Sequence, residues 1–215
     1  MVSMDTNSSS NGHETRRAKK RRKARPLDET MLRDLALSYA ARFATTGAKL
    51  EGYLARKIRE RGVAEDADGR MRELDVTGLV TRLIELGYVD DDAYARMKTR
   101  DLTARGYGAR RVEQALWAAG VEENVREDNA PGEAQCREAA ILLAKKRRFG
   151  PFARPLIASQ EPDAAEAHKL REKQVAAMLR AGHQYEHIRF ILDAAGTEDI
   201  EIWLAEAQEE ERDDV

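Results

Sequence analysis

Apolar residues recur at intervals of three and four positions along most of this 215-residue chain, a spacing that lines one face of an α-helix. The clearest stretch is 76–86, whose apolar face consists of Val76, Leu79, Val80, Leu83 and Ile84. Asp75 precedes it as a predicted N-cap, and Gly87 follows it where a left-handed residue ends a helix. No stretch alternates apolar and polar residues for long enough to predict a strand. The pattern therefore predicts an all-α protein.

The predicted helices group into three-helix units joined by short connections. The boundaries are 26–63 for a truncated first unit, 76–121 for a second and 133–197 for a third. Their helices are predicted near 29–45, 48–61, 76–86, 91–104, 109–119, 134–147, 164–181 and 184–195. A Pro-containing insertion at 149–162 interrupts the third unit. A last helix near 198–211 and an acidic tail form a C-terminal segment, 198–215.

A repeated pattern supports this division. An apolar residue, another four positions on and a glycine four positions later occur at Leu54-Ile58-Gly62, Val112-Leu116-Gly120 and Ile188-Leu192-Gly196. Aligning 105–121 with 181–197 also matches Gly106 with Gly182. We therefore predict tandem three-helix repeats that form an elongated, curved array. The alternative, that helices commonly end in a glycine, stays open because Leu79-Leu83-Gly87 has the same form inside one unit.

Composition narrows the architecture and the compartment. Charged residues make up 35% of the chain and aromatic residues only 6%, which favours thin amphipathic layers over a thick core. The single cysteine, Cys136, excludes an internal disulfide and suits a reducing cytoplasm. No apolar run approaches the roughly 20 residues that span a bilayer, so no membrane partner is predicted.

Charge is unevenly distributed although the net charge is only −2. Residues 1–25 carry eight Lys and Arg against two acids, and we predict that this basic arm is disordered because it cannot bury apolar area. Residues 198–215 carry nine acids against one Arg. A basic arm and an acidic tail thus flank a body whose charges balance.

Motifs for catalysis are missing from the sequence. It contains no phosphate-loop spacing, no G-x-S-x-G and no H-E-x-x-H, so neither an enzyme nor a bound cofactor is predicted. His183 and His187 have a spacing that could hold a metal, but no third ligand is obvious, and we interpret them as exposed helix residues. The acidic run Asp90, Asp91 and Asp92 resembles a metal cluster, but capping of the following helix is favoured.

Basic clusters occur once in each proposed unit and are separated by acidic stretches. If the units stack side by side, the clusters would align as a stripe that suits a polyanion such as DNA. The candidate residues are Arg56, Lys57, Arg59, Arg105, Arg110, Arg111, Lys145, Lys146, Arg147 and Arg148. The alternative is an ordinary solvated surface of mixed charge, and charge alone does not decide between the two.

A family resemblance begins at 87–96, Gly-Tyr-Val-Asp-Asp-Asp-Ala-Tyr-Ala-Arg, and continues through Arg-Gly-Tyr-Gly at 105–108. Together with Val112, Leu116 and the Gly-Val pair at 120–121, this stretch resembles the middle repeat of the RecX family, small bacterial regulators of the recombinase RecA. The segment from Tyr39 to Val63 is similar to the family's first repeat. The resemblance covers roughly 30–196.

The resemblance implies tandem three-helix repeats and a role in DNA repair, recombination and the SOS response. The implied activity is binding to the RecA–DNA filament and modulation, usually inhibition, of strand exchange, ATP hydrolysis and coprotease action. RecA and weakly, nonspecifically bound DNA are the expected partners, and a monomer is expected. The alternative is a helix-turn-helix-like, sequence-specific DNA-binding protein, in which 109–119 would present Arg110, Arg111 and Gln114 to bases.

Overall fold

The computed structural model describes residues 25–65, 68–71, 73–153 and 163–213. Within these ranges the regular structure is ten α-helices and one turn of 3-10 helix, Gly150–Phe152. The helices are α1 Glu29–Ala40, α2 Gly47–Arg61, α3 Val76–Glu85, α4 Asp91–Ala104, α5 Ala109–Trp117, α6 Glu123–Asp128, α7 Glu133–Arg147, α8 Ala164–Arg180, α9 Tyr185–Asp193 and α10 Thr197–Asp213. The predicted all-α class and the helical repeats are confirmed. The basic arm up to residue 24, most of the predicted insertion and the last two residues lie outside the described residues.

The first packed unit contains α1, α2 and α3. Its buried side chains are Leu27, Leu32, Ala36, Leu50, Leu54, Leu74, Val80, Leu83 and Val89. An isolated bridge closes one end, because the N–H of Leu27 donates to the carbonyl of Gly62 at 2.9 Å and that of Ala64 donates to Leu27 at 2.8 Å. The chain that enters α1 is thereby held against the end of α2.

The second packed unit contains α4, α5 and α6. Its buried side chains are Tyr94, Ala95, Leu102, Val112, Leu116, Ala119 and Val121. The sequence pattern did not predict α6, because its six residues carry one apolar side chain, Val125, which packs at the edge of this core. One apolar residue cannot establish a period, so α6 is recognisable only from its packing.

The third packed unit contains α7, α8, α9 and α10. The buried members of its hydrophobic cluster are Ala140, Ile141, Ala144, Met178, Ile188, Ile191, Ile200 and Trp203. The last helix belongs to this core, since Ile200 and Trp203 of α10 are among its members and α10 packs along α7. It is not a separate C-terminal element.

The packing divides the chain differently from the predicted 76–121 unit. Val80 and Leu83 of α3 are buried with α1 and α2, whereas the second core begins at Tyr94. Helical periodicity identifies which face of α3 is apolar but not which neighbouring core covers that face. The first unit is therefore complete, and the second starts at the N-cap of α4.

Each member of the Asp90–Asp92 run has its own structural contact. Asp90 is the N-cap of α4, with Oδ1 accepting a backbone N–H of the first turn at 2.8 Å. Asp91 accepts the N–H of Gly47 at 2.9 Å, and Asp92 accepts the side-chain amide of Asn129 at 2.7 Å. Capping, the favoured interpretation, is confirmed for Asp90, and the other two carboxylates tie α4 to neighbouring elements.

The first and second units meet at the start of α2. Besides the Asp91 contact, the hydroxyl of Thr46 donates to the carbonyl of Ala119 at 2.5 Å. The ammonium of Lys49 donates to the Tyr94 hydroxyl and lies 4.4 Å from the centre of that ring. Side chains therefore supply most of this joint.

The second and third units meet backbone to backbone at two glycine turns. The N–H of Gly108 donates to the carbonyl of Ala181 at 2.9 Å, and that of Arg110 donates to Gly182 at 3.2 Å. A Cβ at Gly108 would collide with the Gly182 carbonyl, and one at Gly182 would lie 2.5 Å from the Arg111 nitrogen. Only glycine allows these two segments of the backbone to approach this closely. This contact therefore requires glycine at both positions.

Replacing Gly182 with alanine should destabilise the protein. The residue has a φ of +93° and no space for a Cβ, so strain and overpacking together should lower the free energy of unfolding by about 2–4 kcal/mol. The matched control is Gly52→Ala, a position inside α2 with nothing within 4 Å of a new Cβ, where a gain of about 0.5–1 kcal/mol is expected. Urea unfolding followed by circular dichroism measures both. Equal effects at the two positions would contradict the close-packed joint.

Candidate functional site

A groove of about 390 Å³ lies beside the joint between the second and third units. Its walls are formed by Arg105, Gly106, Tyr107, Leu143, Lys146, Arg147, Ala177, Arg180 and Ala181. Among these lining residues four are basic and none is acidic. We call this feature, with Arg105, Tyr107, Lys146, Arg147 and Arg180, the basic groove.

The cations of the basic groove come from the ends of three helices. Arg105 follows α4 directly, Lys146 and Arg147 lie in the last turn of α7, and Arg180 is the last residue of α8. A helix C-terminus carries a partial charge of about −0.5, which stabilises a cation placed there. Four full positive charges outweigh these three helix ends together with the Asp101 carboxylate that pairs with Arg105, so the groove keeps a positive potential and attracts anions.

Direct contacts hold part of the groove in place. The Lys146 ammonium donates to the carbonyl of Arg105 at 3.2 Å, which joins the end of α7 to the end of α4. The guanidinium of Arg105 lies 5.7 Å from the centre of the Tyr107 ring and 3.4 Å from the carboxylate of Asp101. The aromatic ring and the cation thus form one face, suited to a ligand that carries both negative charge and a planar group.

The structure brings some of the predicted basic residues together. Arg105, Lys146 and Arg147 line the basic groove, although about 40 residues separate the first from the other two. Arg110 and Arg111 lie in the first turn of α5, which contacts Gly182 through its backbone, and both residues are exposed. Neither lines the basic groove, and Arg110 lines another pocket together with Glu113 and Glu127.

The remaining predicted residues lie elsewhere. Lys145 lies 5.5 Å from the ring of Phe152 and lines a different pocket, beside Glu201, because successive side chains of a helix point about 100° apart. Arg148 follows α7 in a left-handed conformation with φ of 58°. Arg56, Lys57 and Arg59 lie on α2 in the first unit. Of the ten predicted residues, the structure thus groups Arg105, Lys146 and Arg147 in one groove.

The predicted first-unit cluster is also partly neutralised. Arg56 and Lys57 both pair with Glu60, at 3.7 and 2.6 Å, and both lie within 6 Å of the Tyr53 ring. Exposed pairs of this kind contribute little stability, but they reduce the positive potential of the patch.

Sequence reasoning missed Arg180 and Tyr107. Arg180 is isolated among neutral neighbours, so a search for dense basic windows passes over it. The one sequence signal for Arg180 is that it lies two residues before Gly182. Gly182 aligns with Gly106 of the other turn, and both glycines have positive φ. Equivalent turns in neighbouring repeats place their flanking residues close together.

One family profile coincides with the second packed unit. The family profile described as "RecX, second three-helix domain" matches residues 90–128, which is α4 to α6 together with the N-cap of α4. Over 177 residues the chain is 30% identical to the regulatory protein RecX of Myxococcus xanthus (strain DK1622), a match that covers 80% of this chain and 90% of that protein. The chain belongs to the RecX family.

Further relatives agree with this membership. A regulatory protein RecX of Thermus thermophilus is 37% identical over 114 residues, which is 52% of this chain and 71% of that protein. The crystal structure of RecX from Lactobacillus salivarius superposes with a TM-score of 0.54 at 20% identity, covering 76% of this chain and 96% of that one. A second crystal structure of a regulatory protein RecX gives 0.50 at 19% identity, covering 78% of this chain and 79% of that one. These structures show that the fold is that of the RecX family.

His183 and His187 are buried, so the expectation of exposed helix residues is wrong. The Nε2 atom of His183 lies 3.1 Å from the carbonyl oxygen of Gly106, and that of His187 lies 3.0 Å from a carboxylate oxygen of Glu133. His183 lies in the turn after α8 and His187 in the first turn of α9, and other elements cover both. The spacing of apolar residues in the sequence does not reveal this burial. His183 thereby links the third unit to a residue that lines the basic groove.

Neither the cysteine nor the metal-ligating side chains of the described ranges form a reactive site. Burial raises the pKa of the Cys136 thiol to about 11, so the thiol is protonated at neutral pH. No group of three metal-ligating side chains occurs in the part of the chain that the structure describes.

His183 should make stability depend on pH. Burial lowers its pKa below the usual 6.5, and the neighbouring His187 acts in the same direction, while the hydrogen bond to Gly106 opposes them. Below pH 6.5 His183 is therefore protonated in the unfolded chain more readily than in the folded chain. The stabilising effect is complete above that pH and is lost as the pH falls towards the lowered pKa of the folded state.

The measurement is the free energy of unfolding from about pH 7.5 to about pH 5.5. The slope of this free energy against pH should be smaller in His183→Gln than in the unsubstituted chain. His168→Gln, which changes an exposed histidine of α8, should keep the original slope. A slope that survives the His183 substitution would contradict this assignment.

Proposed function

We propose that the chain is a non-enzymatic regulator that binds the RecA–DNA filament and limits the recombinase, ATPase and coprotease activities of RecA. Membership of the RecX family supports this proposal, since its relatives are named regulatory proteins. The basic groove is the proposed contact surface, and the exposed Arg110 and Arg111 of α5 are proposed as further contacts.

The observation that carries the proposal is the convergence of Arg105, Lys146, Arg147 and Arg180 in one groove whose lining includes no carboxylate. Phosphates of filament-bound DNA and acidic side chains of a protein filament are both polyanionic surfaces. Tyr107 in the same wall adds an aromatic face, on which an unpaired base can stack. Contacts of this type are nonspecific in sequence, as expected for a regulator that follows a filament.

The serial order of the units suits a long partner. The first unit contacts the second through Thr46 and Asp91, and the second contacts the third through Gly108 and Gly182. A row of repeats offers an extended surface, which is the usual means by which repeat proteins bind filaments and chains. In the described ranges no helix has the length and apolarity that crossing a membrane requires.

A sequence-specific DNA-binding protein is the less favoured alternative. A recognition helix reads bases with residues near its N-terminus. The first turn of α5, the candidate helix, instead contacts the turn at Gly182 through the backbone of Arg110. Part of the surface that would enter a DNA groove is therefore occupied by the third unit.

Charge reversal in the groove should weaken regulation. Arg147→Glu combined with Arg180→Glu should raise the protein concentration that half-inhibits RecA ATPase on single-stranded DNA by at least about tenfold, because attraction to the filament becomes repulsion. The matched control is Arg56→Glu with Arg59→Glu, the same charge change on α2 of the first unit. Thermal melts verify folding of both variants. If the two pairs have the same effect, the groove is not the contact surface.

The salt dependence of DNA binding should also reveal the contribution of Arg147 and Arg180. Each lost phosphate contact lowers the slope of log K against log salt by about 0.7 for single strands. Arg147→Gln with Arg180→Gln should therefore reduce the slope by about 1.4, measured by fluorescence anisotropy of a labelled oligonucleotide. An unchanged slope would mean that neither guanidinium contacts phosphate in the complex.

A further inference from the structure

A second groove, of about 850 Å³, lies in the third unit between the start of α7, α9 and α10. Its inner wall is aromatic, because Phe190 stacks on Trp203 with ring centres 4.5 Å apart and planes inclined by 20°. Ile202 of α10 adds an apolar side chain that is 60% exposed. The carboxylates that line the groove are Glu133, Glu186, Asp193, Asp199 and Glu206. We call it the acidic groove.

Three of these carboxylates already have partners inside the protein. Glu133 pairs with Arg137 at 2.6 Å, and Asp193 pairs with Arg171 at the same distance. Asp199 accepts the backbone N–H groups that precede α10, at 3.0 and 3.3 Å. These contacts stabilise the third unit, and they leave the remaining two carboxylates for other roles.

Glu186 and Glu206 are exposed, and no hydrogen bond or ion pair engages either one among the described residues. They lie on different helices, α9 and α10, which face each other across the groove. Arg189 and Arg137 also line it, but five carboxylates exceed two cations. The groove therefore combines a negative rim with exposed apolar and aromatic surface.

We propose that the acidic groove is a docking site for the basic arm of a second copy of this chain. The arm carries seven cations within eight positions, Arg16, Arg17, Lys19, Lys20, Arg21, Arg22 and Lys23. Carboxylates would take the charged ends of these side chains, while their methylene stems cover Ile202 and the exposed part of Phe190. Guanidinium groups also stack favourably on aromatic faces.

The serial order of the units indicates a second copy as the source of the arm. The arm leaves the described structure at Arg25, whose carbonyl oxygen accepts a hydrogen bond from the Arg61 guanidinium at 2.8 Å in the first unit. The acidic groove belongs to the third unit, on the other side of the second. A head-to-tail contact between copies brings the two together without requiring the arm to pass along its own chain. Since the charges are exposed, salt should screen this contact, and it should form at low ionic strength.

The first experiment measures binding of a labelled peptide of residues 12–25 by fluorescence anisotropy. The receptor is the full-length chain with the seven arm cations at 16–23 replaced by glutamine, so that its own arm does not compete. Introducing Glu186→Gln and Glu206→Gln should weaken binding about tenfold. The matched control is Glu172→Gln with Glu201→Gln, which removes two exposed carboxylates outside the groove and should leave affinity within about twofold. Equal weakening by the two pairs, or no binding, overturns the proposal.

The second experiment tests the source of the arm by sedimentation velocity. At about 20 mM salt the unsubstituted chain should sediment faster as its concentration rises, and about 500 mM salt should abolish this effect. The arm-neutralised chain and the Glu186→Gln, Glu206→Gln chain should both remain monomeric at low salt. If the peptide binds but the unsubstituted chain stays monomeric at every concentration, the groove takes the arm of its own chain and the proposed contact between copies is wrong. Neither experiment contains RecA, so its outcome is independent of the proposed regulatory function.

Discussion

The close approach of two backbone segments at Gly108 and Gly182, together with the packing of α4 against α7, sets how the second and third units sit relative to each other. Hydrogen bonds of 2.9 and 3.2 Å connect one turn to the other, and any Cβ at these glycines would collide with backbone atoms of the other turn. Such a contact allows little freedom to slide or tilt, because each hydrogen bond fixes a distance and a direction. The joint between the first and second units, by contrast, relies on side chains such as Thr46 and Asp91.

The basic groove follows from this joint. Once the two turns are in contact, the C-terminal ends of α4, α7 and α8 lie side by side, and the cations that end these helices face one space. Each cation is favourable at its own helix end for a local reason, namely the partial negative charge of the unpaired carbonyls. Their combination into a single positive surface is a tertiary effect. The burial of His183 belongs to the same joint, since its imidazole contacts Gly106 of the opposite turn.

Opposite charges are thus concentrated on different parts of the third unit. The groove beside the second unit is basic, whereas the groove between α9 and α10 is acidic and partly aromatic. This separation suits the proposed function, because a positive surface can follow a polyanion while a negative one is repelled by it. The acidic groove is then available for a positively charged segment, for which the arm of this chain is the chemically matched candidate.

The sequence by itself determined the helices, their caps and the family. Apolar spacing locates nine of the ten helices within the described ranges, and local residues such as Asp90 set where they begin, because these are interactions between near neighbours in the chain. Only the tertiary structure decided that α3 belongs to the first core, that His183 is buried and that Arg180 joins Arg105. Periodicity shows which face of a helix is apolar but carries no information about what covers it. The orientation of neighbouring units, set here by contacts between residues more than 70 positions apart, is therefore what turns scattered cations into a site.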